Sequence, residues 1–322
     1  MYIEQAFKVL HDWWRYLLGI LMAFVGIGIF SVPHALAIAL KQMTGEVEMD
    51  KMQDVNYLMG LFEPNLNLLF MLLPFVGGLL FLILGAKLIH KQSFTSLTTS
   101  RPKVDWKRFW FAFWFWGILS SGIIMLGYWF SPEDYELNFQ LKPFLILCVI
   151  AIALVPLQTS FEEYMFRGYL MQGIGILVKN RWFPLLFTSV VFGSLHIANP
   201  EVDVMGKQIM IYYIGTGLFL GVVTLMDEGL ELALGFHLAN NLFTALLVTA
   251  DWTAFQTYSI FKDLSDPTKA GTGDVLVPVF VIFPILLYIF SKKYKWTNWR
   301  EKLLGPVQKP LEINLDEIGQ ND

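Results

Sequence analysis

The sequence predicts an all-α fold, a polytopic transmembrane helical bundle of about eight spans, on three observations. Hydrophobic residues make up 55% of the 322 positions and charged residues only 16%, with a mean hydropathy of +0.53, far too apolar for a soluble globular chain. Apolar runs of about 20 residues, the length that crosses a hydrocarbon core, recur along the chain. Lys and Arg gather in particular connections between those runs, as they do on the cytoplasmic side of a bilayer.

Taken in order, the expected spans cover roughly 16–40, 66–89, 109–130, 143–165, 182–199, 207–226, 230–250 and 274–292. The first run is followed by Ala35-Leu36-Ala37, which imitates a signal-peptide cleavage site, but it is longer than a signal h-region and reads as a span. Between 165 and 180 the chain stays apolar, so this stretch either extends the fourth helix or forms an interfacial piece. Gly215 and Gly217 read as sites of close helix packing. Trp13, Trp14, Trp106, Trp110, Trp182, Trp296 and Trp299 fall near span ends, where indole rings favour the interface. The Phe-Trp run from Phe109 to Trp116 reads as lipid-facing or packed surface, and His34, beside Pro33, as a packed residue at a kink.

The connection after the second span carries Lys91, Arg101, Lys103, Lys107 and Arg108, and the segment after the last carries Lys292, Lys293, Lys295, Arg300 and Lys302. Both read as cytoplasmic, which places both termini inside. The loops at 41–65, 131–142 and 251–273 are richer in acids, among them Glu46, Glu48, Asp50, Glu133, Asp134, Asp263 and Asp266, and read as the opposite side. A net charge of −4 offers no basic footprint for nucleic acid. The single cysteine, Cys148, excludes a disulfide framework and a Cys-based metal site. No repeat points to an inverted-repeat transporter.

Ionisable groups inside a span cost about 2.5–3.5 kcal/mol each on insertion scales, so those at depth need a reason. Three short patterns hold nearly all of them. In Phe161-Glu162-Glu163-Tyr164-Met165-Phe166-Arg167, Glu163 precedes Arg167 by four residues, the spacing and order that pair on a helix. Glu162, about 100° away around the helix, is left to face something else. In Phe192-Gly193-Ser194-Leu195-His196, the phenyl and imidazole share one face, and so do His237 and Asn241 in His237-Leu238-Ala239-Asn240-Asn241.

One carboxylate, two imidazoles and one carboxamide therefore come from three helices. Glu162 suits a general base toward water that later returns the proton to a leaving amine, with His196 sharing or orienting that water. A His237 N–H and the Asn241 amide suit donors to an oxyanion. Glu162, His196 and His237 also form a two-His, one-carboxylate set of the kind that holds catalytic zinc. No H-E-x-x-H motif supports zinc and Asn241 would be an unusual ligand, so no cofactor is favoured and zinc stays open as the alternative.

At these residues the sequence resembles the CPBP family of intramembrane proteases, the CAAX-protease and bacteriocin-processing, or Abi, family with its type II CAAX prenyl endopeptidases. The family pattern E-E-x-x-x-R, F-x-x-x-H, H-x-x-x-N is met by Glu162-Glu163…Arg167, Phe192…His196 and His237…Asn241, with no departure, within about 143–250. The resemblance implies an endopeptidase in which Glu162 and His196 activate water and His237 and Asn241 stabilise the oxyanion, with Glu163, Arg167 and Phe192 in support. It implies membrane lipid and a peptide or lipidated-protein substrate as partners, in a bacterial cell membrane, with processing of CAAX type or related to bacteriocins.

The domain reading is an N-terminal three-span region over 1–142, the motif-bearing core over 143–250, a final loop and span over 251–300, and a soluble or disordered tail over 301–322. Two other functions use the same residues differently: a non-catalytic membrane scaffold or immunity factor, and a small-solute transporter. Glu162 and Glu163 alone would also fit a helix end that reaches water, and His237 with Asn241 would fit interhelical hydrogen-bonding glue. The position of Glu162 is exposed to contradiction, because linear spans set it near the cytoplasmic end while His196 falls toward the far half of its helix.

Overall fold

A computed structural model describes residues 1–52, 54–269 and 271–309. Six of its helices are long and apolar enough to cross a membrane: α1 (Trp13–Met43), α2 (Pro64–Ile89), α3 (Trp106–Phe130), α4 (Leu141–Val178), α6 (Ile209–Asp227) and α8 (Thr272–Tyr294). The eight expected spans thus become six long helices and two shorter ones, α5 (Trp182–Ser194, continued as a 3-10 turn to Ala198) and α7 (Glu231–Leu247). The helix α7 looks like a span in sequence because it is apolar nearly all round. In the structure that apolarity faces protein, since α7 is enclosed between α3 and α4 and its run from Glu231 to Ala239 is buried throughout.

The undecided stretch after residue 165 belongs to α4. That element is 38 residues long, roughly 57 Å at 1.5 Å per residue. Regular α-helix runs over Leu141–Glu163, widens to a π-helical segment over Tyr164–Leu170, and resumes over Met171–Val178. Such π segments frequently accompany functional sites. Glu162 and Glu163 lie at its threshold, near the midpoint of the long helix rather than at its end.

Close crossings follow the small residues. A side chain at Gly217 would sit 2.8 Å from the Ser189 carbonyl oxygen, so α6 meets α5 backbone to backbone there, as expected of that glycine. At Gly235, a Cβ would collide with the Phe109 carbonyl, which brings α7 equally close to α3. The main core lies among α3, α4, α6, α7 and α8, with Trp116, Phe219, Phe236 and Phe283 among its aromatic members. Ala35-Leu36-Ala37 lies within α1, and His34 stacks on Phe70 of α2 with ring centroids 5.1 Å apart.

The connections sort into two ends. At one, the Tyr2 hydroxyl donates to the Leu97 carbonyl at 2.6 Å, and Arg181 pairs with Glu4. At the same end Arg101 and Arg108 both pair with Asp227, whose Oδ1 also accepts from the Trp296 indole at 3.0 Å. The short acidic connection at Asp227 is thereby neutralised by the basic one. Part of the expected free tail belongs here too: Trp299–Leu304 is helical, and the Val307 N–H donates to the Lys179 carbonyl at 3.0 Å. Residues 310–322 of that tail lie outside the described residues.

At the other end the all-α expectation needs one correction. The acid-rich loops meet in a three-stranded sheet of order β1-β3-β2, from β1 (Tyr135–Leu137), β2 (Val248–Thr249) and β3 (Phe261–Asp263), with β1–β3 antiparallel and β2–β3 parallel. Glu136 faces Lys262 in that register, so the sheet joins two loops that hydropathy treats as unrelated.

Candidate active site

Of the side chains singled out in sequence, Glu162, Phe192, His196, His237 and Asn241 line one cavity of about 780 Å³ bounded by α1, α2, α4, α5, α6 and α7. Its apolar part is lined by Ile20, Phe24 and Ile27 of α1 with Phe75 of α2, and its polar part by Glu162, His196, His237, Asn240 and Asn241. Phe24 and Leu195, which also line it, are 62% and 65% exposed, so the cavity reaches the apolar outer surface.

The two glutamates separate as helical spacing predicts. Glu163 is fully buried and accepts from Arg167 Nη1 at 2.9 Å, one turn on. Arg167 is also fully buried; it donates to the Gly217 carbonyl at 3.2 Å and lies 4.1 Å over the Phe192 ring. The spacing left one partner unseen: Glu163 Oε1 also receives His237 Nδ1 at 2.7 Å. With Arg167 on the same carboxylate, that oxygen is an acceptor, so the ring proton belongs on Nδ1. Glu163 therefore aims the imidazole, and Nε2 points at Glu162 Oε2, 3.4 Å away.

Glu162 is held from its other side by a residue the motif reading missed. Gln158, one turn earlier on α4, donates from Nε2 to Glu162 Oε1 at 2.7 Å and accepts from Asn241 Nδ2 at 3.1 Å. Asn240 extends the chain, donating to Asn241 Oδ1 at 3.2 Å and accepting the Trp116 indole N–H at 3.1 Å. Four hydrogen bonds thus run from Trp116 to Glu162, so this tryptophan of the Phe-Trp run is packed and orienting rather than lipid-facing. The signal for Gln158 was present: an amide in an apolar run, four residues before Glu162.

His196 occupies the 3-10 turn that ends α5. Its Nδ1 lies 2.9 Å from the Phe192 carbonyl, an acceptor, which leaves Nε2 as the free ring nitrogen. The ring stacks on Tyr213 with centroids 4.4 Å apart and planes 24° apart. It shares the cavity with Glu162, while the direct ring-to-carboxylate contacts of Glu162 belong to His237. Among the described residues, no three His, Cys, Asp or Glu side chains are grouped closely enough to hold a metal ion.

The chain is 34% identical over 167 residues to the uncharacterized protein YyaK of Bacillus subtilis (strain 168), a match that covers 52% of this chain and 56% of that protein. It spans about half the length of the curated relative it matches. No solved structure matches it. The long helix with its two glutamates, the His196 turn and most of α7 fall in the segment recognised by a family model: residues 139–243 match the Rce1-like family, described as type II CAAX prenyl endopeptidase Rce1-like.

Proposed function

We propose that this chain is an intramembrane endopeptidase that hydrolyses a peptide bond of a membrane-associated peptide or lipidated protein. The observation that carries this reading is the position of Glu162, a carboxylate inside a membrane-embedded cavity with one oxygen fixed by Gln158 and the other turned toward His237 Nε2. In the proposed reaction Glu162 takes a proton from water, and His196 accepts a hydrogen bond from the same water through its free Nε2, aligning it for attack on the scissile carbonyl. One N–H of the Asn241 amide is held by Gln158, and the other is left for the oxyanion. His237 supplies the second donor when Nε2 carries a proton, its ring charge being offset by Glu163. Glu162 then passes the proton to the departing amine.

The apolar part of the cavity suits the acyl or prenyl chain, or the apolar residues, of a substrate that arrives through the bilayer. Purified protein in liposomes is expected to cleave a lipidated reporter peptide and to keep doing so after dialysis against a strong chelator, read by mass spectrometry of the fragments. Activity lost on chelation and restored by zinc would replace the metal-free mechanism with its zinc form.

The charge distribution supports an orientation with both termini cytoplasmic. Lys103, Lys107 and Lys295 lie at the end where the first residues of the chain and residues 299–307 dock, while Glu48, Glu133 and Asp251 lie toward the sheet. This orientation turns the polar mouth of the cavity, at Glu201 and residues 252–255, to the outer face. In a Cys148→Ala background, a membrane-impermeant maleimide is expected to label Asp251→Cys in intact cells and Lys103→Cys only after permeabilisation. The reverse pattern would invert the topology.

A further inference from the structure

The cavity's mouth holds charge that the hydrolytic reading does not use. Beside Glu162 it is lined by two more carboxylates, Glu201 and Asp263, and among the described residues no Lys or Arg lines it. Glu201 stands on the short helix Pro200–Met205 that follows the His196 turn. Its Oε1 accepts the Ala254 N–H at 2.8 Å, which ties the helix to the loop after β2, while its Oε2 is buried with no protein hydrogen-bond partner. In that same loop the Trp252 indole N–H is buried and also lacks a protein partner, and Trp252 lines the same cavity. The nearby cation, Lys262, is engaged with Asp251 at 2.8 Å. Burial pushes the Glu201 carboxyl above its usual range, against the opposing pull of the Ala254 N–H, so its charged form gains from a cation brought into the cavity.

We propose that Glu201 and Trp252 form a specificity subsite for a cationic side chain of the substrate peptide, a Lys ammonium or Arg guanidinium docking on Glu201 Oε2 while the indole N–H of Trp252 donates to a neighbouring peptide carbonyl. The two orphan groups are of opposite kind, one acceptor and one donor, and a peptide segment with a basic residue satisfies both. Trp252 also offers an aromatic face to such a cation. Among the described residues no Lys or Arg lines this mouth, so the subsite favours a substrate that brings a basic residue to it. This inference rests on the protease reading for its biological meaning, but binding tests it without cleavage.

The probes are three lipidated peptides identical except for one position carrying Lys, norleucine or Glu, titrated by fluorescence anisotropy onto the purified full chain bearing Glu162→Gln in nanodiscs. The expected order is Lys tighter than norleucine by about tenfold, with Glu weakest, the size of effect a single desolvated charge contact gives. Adding Glu201→Gln is expected to bring the Lys-to-norleucine ratio to about one, and Glu201→Lys to favour the Glu peptide. Asp203→Asn, an exposed acid two residues on, keeps the ratio. Equal binding of the three peptides, or a ratio untouched by Glu201→Gln, overturns the subsite. If the ratio behaves as expected while the chain without Glu162→Gln cleaves none of the peptides, the subsite stands and the protease reading falls.

Discussion

Glu162→Gln is expected to abolish the proposed peptide-bond cleavage while the protein still inserts and folds. The substitution keeps the shape of the side chain and removes the base, a loss worth roughly a hundred- to ten-thousand-fold in rate. The new carboxamide can offer its oxygen to Gln158 Nε2 without Gln158 turning, so the Asn241–Gln158 chain keeps its donors and acceptors. The readout is fragment yield from a lipidated reporter peptide in proteoliposomes, with thermal stability measured in parallel. A rate within about tenfold of the unsubstituted protein would remove Glu162 from its role as base. Biological function that survives the substitution undiminished would favour the scaffold or immunity reading.

Spacing alone placed Glu163 with Arg167, because four residues along a helix bring an acid and a base onto one face, and the 2.9 Å pair realises that expectation. The same spacing freed Glu162. Its place along the helix was hidden, since a linear window cuts helices at bilayer length and cannot see that Leu141–Val178 is one helix with a π segment in it. The bridge from Glu163 to His237 spans 74 positions and is set by how α7 packs on α4, a tertiary fact with no local signature. Gln158 and Trp116 were missed for a different reason. Each carries its polar group on a residue that hydropathy averages into its apolar neighbours. For α7, hydropathy over 230–250 reports apolarity and does not show that protein covers its Glu231–Ala239 run.

Arg167→Met destabilises the protein by about 3–5 kcal/mol, the cost of leaving one member of a buried pair without its partner. Glu163 then keeps only His237 Nδ1 among its charge partners, and its carboxylate is fully buried. Glu163→Gln strands Arg167 in turn, with the Gly217 carbonyl and the Phe192 ring as its remaining contacts. The double variant removes both charges and is expected to be more stable than either single one, with a coupling of about 1–3 kcal/mol in a double-mutant cycle read from thermal unfolding in detergent. Simple additivity would mean that the pair is not a unit. Activity separates the two roles of Glu163: the double variant regains stability but not cleavage, because the carboxamide that replaces Glu163 no longer offers the charge that holds the His237 ring with Nδ1 protonated and Nε2 toward Glu162. Recovery of both together would reduce Glu163 to a packing element and leave His237 oriented by its surroundings alone.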